Sequence, residues 1–129
     1  MTPRYVFDSG ALIAAERNKR RALDYIGLVQ RGRAEIVTPV VCVLEWWRGR
    51  TDRRDALLRS VVVEPLPLGV AKAAGMALAT IDARAGARLS IDAAVAAFAA
   101  VLDAPVVTTD HADMVLFQRF FPALRVLGL

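Results

Sequence analysis

The side chains able to do chemistry in this chain are carboxylates, and where they fall matters more than how many there are. Asp8 directly follows the apolar run Tyr5-Val6-Phe7, and Asp110 directly follows VVTT (106–109). Asp113 lies one turn beyond Asp110. Asp92 stands at the start of SIDAAVAAFAA (90–100), and Glu45 sits between an apolar run and the pair Trp46-Trp47. Each has an ordinary structural explanation. Asp8 and Asp92 suit the positive end of a helix. Asp110 suits a cap for a helix starting at His111. Glu45 can pair with Arg48 three residues on. As a set they ask for more, because carboxylates that converge repel one another unless a cation neutralises them. Without clustered histidine or cysteine, an all-oxygen set suits Mg²⁺ or Mn²⁺ rather than zinc. A carboxylate-held divalent ion beside an arginine-rich surface is equipment for hydrolysing a phosphodiester. Asp52, Asp55, Asp82 and Asp103 read as solvated charges.

The elements that must position these acids are legible from pattern. The 129 residues are the length of a single domain, 1–129, with 56% hydrophobic residues and enough chain to bury a core. YVF (5–7) reads as a short buried strand, followed by a helix over 9–17 with Ser9 as N-cap. A second helix spans 20–32 and stops at Gly32. AEIVT (34–38) reads as a strand. Thr38 as cap and Pro39 at the first helical position then open a helix that ends near Gly49. A short basic helix (52–60), a β-branched strand closed by prolines (61–68) and an alanine-rich helix (69–86) follow. SIDAAVAAFAA is a further helix, APVVTTD (104–110) a strand, 111–121 a helix and LRVLGL (124–129) a last strand. Continuous apolar strands alternating with helices argue for a parallel sheet covered on both faces. Ligands of such sheets bind outside the carboxyl ends of the strands, which is where Asp8 and Asp110 fall.

Charge and composition bound the partners. The net charge is +4 and the pI about 10.0. Lys19 and Lys72 are the only lysines, so the basic character is almost wholly arginine. Guanidinium forks match phosphate and stack on bases, which fits a polyanionic partner. A G+C-rich coding sequence produces the same bias, and charge alone leaves the two readings level. Cys42, the only cysteine, admits no internal disulfide and reads as a small core residue. The N-terminal stretch lacks the pattern of a signal peptide, and no uninterrupted apolar run is long enough to span a membrane. The expectation is a cytoplasmic protein with no membrane partner.

FDSGALIAAER, VLEWWRG, SIDAAVAAFAA and VVTTDHADM resemble, in this order, the four landmarks of a PIN-domain nuclease. More narrowly, the chain is similar to the VapC toxins of bacterial toxin–antitoxin pairs, and the resemblance covers essentially its whole length. It implies a three-layer α/β/α sandwich around a central, mostly parallel sheet of four or five strands. It implies that Asp8, Glu45, Asp92 and Asp110 form the acidic set, with Ser9 and Thr108 in support. It implies one or two Mg²⁺ or Mn²⁺ ions, activating the water that attacks an RNA phosphodiester, tRNA or rRNA being the expected targets. Many relatives carry asparagine where Asp110 stands and aspartate where Asp113 stands, so which of these two touches metal stays open. The resemblance further implies a VapB-type antitoxin laid across the acidic groove, and a homodimer for which Trp46-Trp47 and Leu57-Leu58 are candidates. RNA contacts are expected from Arg48, Arg50, Arg53 and Arg54, and from NKRR (18–21). His111 reads as a surface histidine at a helix start, although it could also contact phosphate or donate a proton.

Two rivals are small α/β domains with acids at strand ends. A receiver-like signalling module wants an acidic pair near the first strand, an aspartate ending the third and a lysine ending the fifth. Here the third candidate strand ends VVVEPL, and neither lysine is so placed. A dehalogenase-like phosphatase wants Asp-x-Asp after the first strand, where this chain has Asp8-Ser9-Gly10. A PIN-like fold that only binds, having lost catalysis, is the remaining alternative. The presence of all four acids argues against it.

Overall fold

The structure is a computed structural model that describes residues 2–81 and 88–129. Asp82 and the far end of the helix expected over 69–86 lie outside the described residues. Strands β1 (Arg4–Phe7), β2 (Glu35–Pro39), β3 (Val62–Glu64), β4 (Val106–Thr108) and β5 (Val126–Gly128) form one sheet in the order β3-β2-β1-β4-β5. All four pairings are parallel. The central strands are apolar on both faces. Val6 and Phe7 of β1 and all three residues of β4 are buried, whereas edge strand β3 is exposed throughout.

Between the strands run α1 (Ser9–Glu16), α2 (Arg20–Gln30), α3 (Val40–Trp46), α4 (Asp52–Ser60), α5 (Leu68–Ala79), α6 (Ser90–Leu102) and α7 (His111–Val115). The last continues as a 3-10 turn over Leu116–Arg119. Crossovers between parallel strands are right-handed. The connections β1 to β2 to β3 progress in one direction across the sheet, and β3 to β4 to β5 in the other. The helices therefore divide between two faces. α1 packs with α2, α3 and α4, and α6 packs with α5 and α7. The result is the expected three-layer sandwich, with its core built on Phe7, Leu12, Ile36, Val95, Met114 and Phe117. Among the described residues no helix is long and apolar enough to cross a membrane.

Several boundaries differ from expectation, each for a local reason. Asp8, not Ser9, is the N-cap of α1. Its carboxylate accepts from the Ala11 amide at 2.8 Å. Both residues are able to cap, and the chain uses the one at the buried strand end. Thr38 caps nothing. It lies within β2, buried, and donates its hydroxyl to the Phe7 carbonyl at 2.7 Å, tying β2 to β1. Pro39 closes the strand instead of opening the helix. α3 stops at Trp46, short of Gly49, because Trp47 is already extended. The helix expected over 111–121 tightens into the 3-10 turn after Val115.

Candidate active site

The strand order reverses between β1 and β4, and Asp8 and Asp110 follow the carboxyl ends of those two strands. Ligands of open parallel sheets bind at this switch point. Asp8 is only 4% exposed. Burial pushes its carboxyl up from 3.8 to about 6, against hydrogen bonds from Thr108 and the Ala11 amide, with the charges of Asp110 and Glu45 adding to the rise. Asp92 is carried in by the first turn of α6, whose next seven residues, Ala93–Ala99, are all buried. Its carboxyl is pushed up to about 7, first by burial and then by the charges of Asp8, Asp110, Asp113 and Glu45. The five acids singled out by sequence therefore act on one another electrostatically, as members of one cluster.

An N-cap does not need this arrangement. Asparagine or serine caps a helix about as well as aspartate and carries no charge to desolvate. Nor do the described residues neutralise the cluster. Among the described residues no lysine or arginine pairs with Asp8, Glu45, Asp92 or Asp110. Asp113 is different, since Arg88 donates to its Oδ2 at 3.0 Å. That ion pair makes Asp113 the less available of the two candidate fourth acids, and Asp110 is exposed beside Asp8.

Two polar residues hold the cluster in shape. Thr108 is fully buried. It is hydrogen-bonded to Asp8, and its Oγ1 accepts from the Asp110 amide at 2.9 Å, so one hydroxyl couples the two strand ends. Ser9 donates to Glu45 Oε1 at 2.6 Å and fixes α3 against the start of α1. Glu45 is exposed, so its apolar sequence neighbours do not bury it, and it does not pair with Arg48. Arg48 instead donates to the carbonyls of Leu44 and Trp47. Cys42 lies beneath, a core thiol pushed up to about 12 by burial.

Among the described residues no three His, Cys, Asp or Glu side chains stand close enough to ligate one ion as placed. Glu45 and Asp113 are engaged by Ser9 and Arg88. The donor set is nonetheless hard, all-oxygen and largely uncompensated, which suits a divalent ion of the Mg²⁺ or Mn²⁺ kind.

Sequence reasoning missed two members. Arg88 gives no signal, being 25 residues from the acid it pairs with. Gly10 does give one, as the glycine two residues after the first acid. A Cβ there would collide with Thr109 Oγ1 and stand 3.3 Å from Asp8 Oδ1, so a larger residue would force the Thr109 side chain to shift. The arginines of 48–55 have intramolecular partners. Arg53 donates to the Ala15 carbonyl, Arg54 pairs with Glu16 and donates to the Gly49 carbonyl, and Arg50 pairs with Asp52 and Asp55. His111 is exposed, as expected, beside β5, where a Cβ at Gly128 would lie 3.5 Å from its ring.

The family model of the PIN domain matches residues 5–118, from β1 to the 3-10 turn after α7. This chain belongs to the PIN-domain family. PIN domains are generally nucleases. Two solved structures share the PIN fold along nearly their whole length. One is VapBC2 from Rickettsia felis, solved bound to a DNA fragment from their promoter, at 11% identity and a TM-score of 0.65, covering 98% of both chains. The other is FitAcB from Neisseria gonorrhoeae, at 13% identity and a TM-score of 0.65, covering 96% of both. No curated protein sequence matches the chain.

Proposed function

We propose that this PIN domain is a Mg²⁺- or Mn²⁺-dependent endoribonuclease toxin, held in check by a VapB-type antitoxin. The observation that carries the reading is the gathering of acids at the reversal of strand order, where Asp8 feels the charges of Asp110 and Glu45, and Asp92 those of Asp8, Asp110, Asp113 and Glu45. Asp8, Asp92, Glu45 and Asp110 would hold the ion. When bound it would neutralise the cluster, stabilise charge developing on the phosphate and activate water. Thr108 keeps the Asp8 and Asp110 segments in register, and Ser9 holds Glu45 turned toward them. Asp113, tethered by Arg88, borders the set.

RNA as substrate rests on the resemblance to VapC toxins, with tRNA and rRNA as the expected targets. An antitoxin partner is supported by the likeness to VapBC2 from Rickettsia felis. A homodimer is proposed on the surface of α3 and α4, where Leu44 is 74% exposed. The test of the central reading is incubation of purified protein with total tRNA and rRNA, with Mg²⁺, with Mn²⁺ and with EDTA, beside Asp8→Asn and Asp92→Asn variants. Metal-dependent fragments are expected from the wild type only, with the variants slower by a hundredfold or more, on the order of what one essential charged group contributes to a transition state. Equal cleavage by the variants, or indifference to EDTA, sinks the reading.

A further inference from the structure

A cleft of about 560 Å³ adjoins the acidic cluster but is lined by the opposite charge. Gly10 and Thr109, close in sequence to Asp8 and Asp110, line it together with Arg17, Lys19, Arg20 and Arg21. These cations are gathered by a tight turn. Asn18 adopts a left-handed conformation (φ 59°), and the Asn18 and Lys19 amides fold back onto the carbonyls of Ala15 and Ala14. The end of α1 and the start of α2 therefore face the same space. Among the described residues none of the four cations has an ion pair, in contrast with Arg50, Arg54, Arg88 and Arg125. Their placement is also unfavourable for the fold by itself. α2 has no side-chain cap and no acid in its first turn, and Arg20 and Arg21 stand at the positive end of its dipole. Positive charge placed on a cleft against local preference suits an anionic ligand.

We propose that this cleft is a subsite for the nucleic-acid strand flanking the cleaved bond, with Arg17, Arg20 and Arg21 holding its phosphate and Lys19 adding charge. The assignment rests on the nuclease reading for the neighbouring site, because Gly10 and Thr109 put the cleft within reach of a strand lying across Asp8 and Asp110. Nucleic acid is favoured over an acidic protein segment because Gly10 and Thr109 of the cleft lie close to Asp8 and Asp110, the acids of the nuclease reading. Ile13 and Leu129, which also line the cleft, offer apolar surface to a sugar or base. Arg17, Arg20 and Arg21 are positioning residues here, acting through substrate placement and not on the reacting atoms.

The test uses Arg20→Gln/Arg21→Gln, with Arg31→Gln/Arg33→Gln as a control of equal charge next to the start of β2, at the opposite edge of the sheet. Binding of fluorescent single-stranded RNA and DNA is read by anisotropy across salt concentrations in the Asp8→Asn background, so no strand is cut. The cleft pair is expected to weaken RNA binding about tenfold or more at low salt. It should also flatten the slope of log affinity against log salt by about 0.7 per lost phosphate contact. The control pair should leave both nearly unchanged. In the active protein the cleft pair raises KM with kcat retained. Equal losses from both pairs, or none from the cleft pair, overturn the subsite. So does intact RNA binding beside weakened binding of a polyglutamate peptide, which would assign the cleft to an acidic protein segment. Because binding is read without cleavage, a protein that cuts nothing refutes the nuclease reading and still tests the cleft.

Discussion

At the scale of single residues, Asp8 does two jobs that conflict. Its carboxylate caps α1, yet its burial among other acids works against the charge that chemistry needs. Raising a carboxyl from 3.8 to about 6 means that ionisation in the fold is disfavoured by about 3 kcal/mol. The sign follows from linkage. The folded chain holds this proton more tightly than the unfolded chain, so stability is lost as pH rises from about 4 and the loss is complete above about 6. Metal-free wild-type protein is therefore expected to melt lower, relative to Asp8→Asn, at pH 7.5 than at pH 4. Asparagine keeps the cap and removes the charge, so the variant should be the more stable at pH 7.5 by about 2–3 kcal/mol. Comparing the two proteins at each pH cancels the effect of the overall positive charge. Mg²⁺ or Mn²⁺ should raise the wild-type melting temperature and leave Asp8→Asn almost unmoved. Parallel melting curves across pH for the two proteins would show that Asp8 carries no such penalty.

At the scale of elements, the sequence made the order of strands and helices readable because strand and helix periods are local. It placed Asp8 and Asp110 at strand ends for the same reason. Choices settled by tertiary contact stayed hidden. Ser9 and Asp8 both have capping chemistry, and only burial at the end of β1 decides between them. Thr38-Pro39 has the form of a helix start, but the Phe7 carbonyl takes the Thr38 hydroxyl into the sheet. The arginines of 48–55 look free in sequence, and Arg53 and Arg54 meet their partners in α1 across 38 residues. Gly10 shows how closely the elements converge at the site. Gly10→Ala should push Thr109 away and disturb the spacing of Asp8 and Asp110, lowering nuclease activity at least tenfold with a stability change of no more than about 2 kcal/mol. Adding Thr109→Ala removes the hydroxyl that the new methyl group meets, so the double variant should recover most of the lost activity. A double variant no better than Gly10→Ala alone would place the damage elsewhere.

At the scale of the whole molecule, the two tryptophans offered as interface candidates separate. Trp46 is buried, with its indole N–H unpartnered among the described residues, and Leu57 is the buried residue of α4. Trp47 and Leu58 stay half-buried and join Val40, Val43 and Leu44 around a shallow apolar depression of about 450 Å³. Leu44 rises from this surface one residue before Glu45, so whatever covers the depression also borders the acidic cluster. A second copy related by two-fold symmetry would bury the same patch on both chains. Single exposed apolar residues are ordinary, whereas a contiguous group beside a functional site is characteristic of an interface. The prediction is a dimer in sedimentation at micromolar concentration and a monomer for Leu44→Asp, with unfolding temperature almost unchanged because the side chain is 74% exposed in the single chain. A charge introduced at the centre of an apolar interface costs several kcal/mol per pair of copies, enough to move dissociation out of that range. If Leu44→Asp sediments as the wild type does, α3 and α4 are not the dimer surface. The antitoxin, added to both proteins, then tells whether it is the one that covers Leu44.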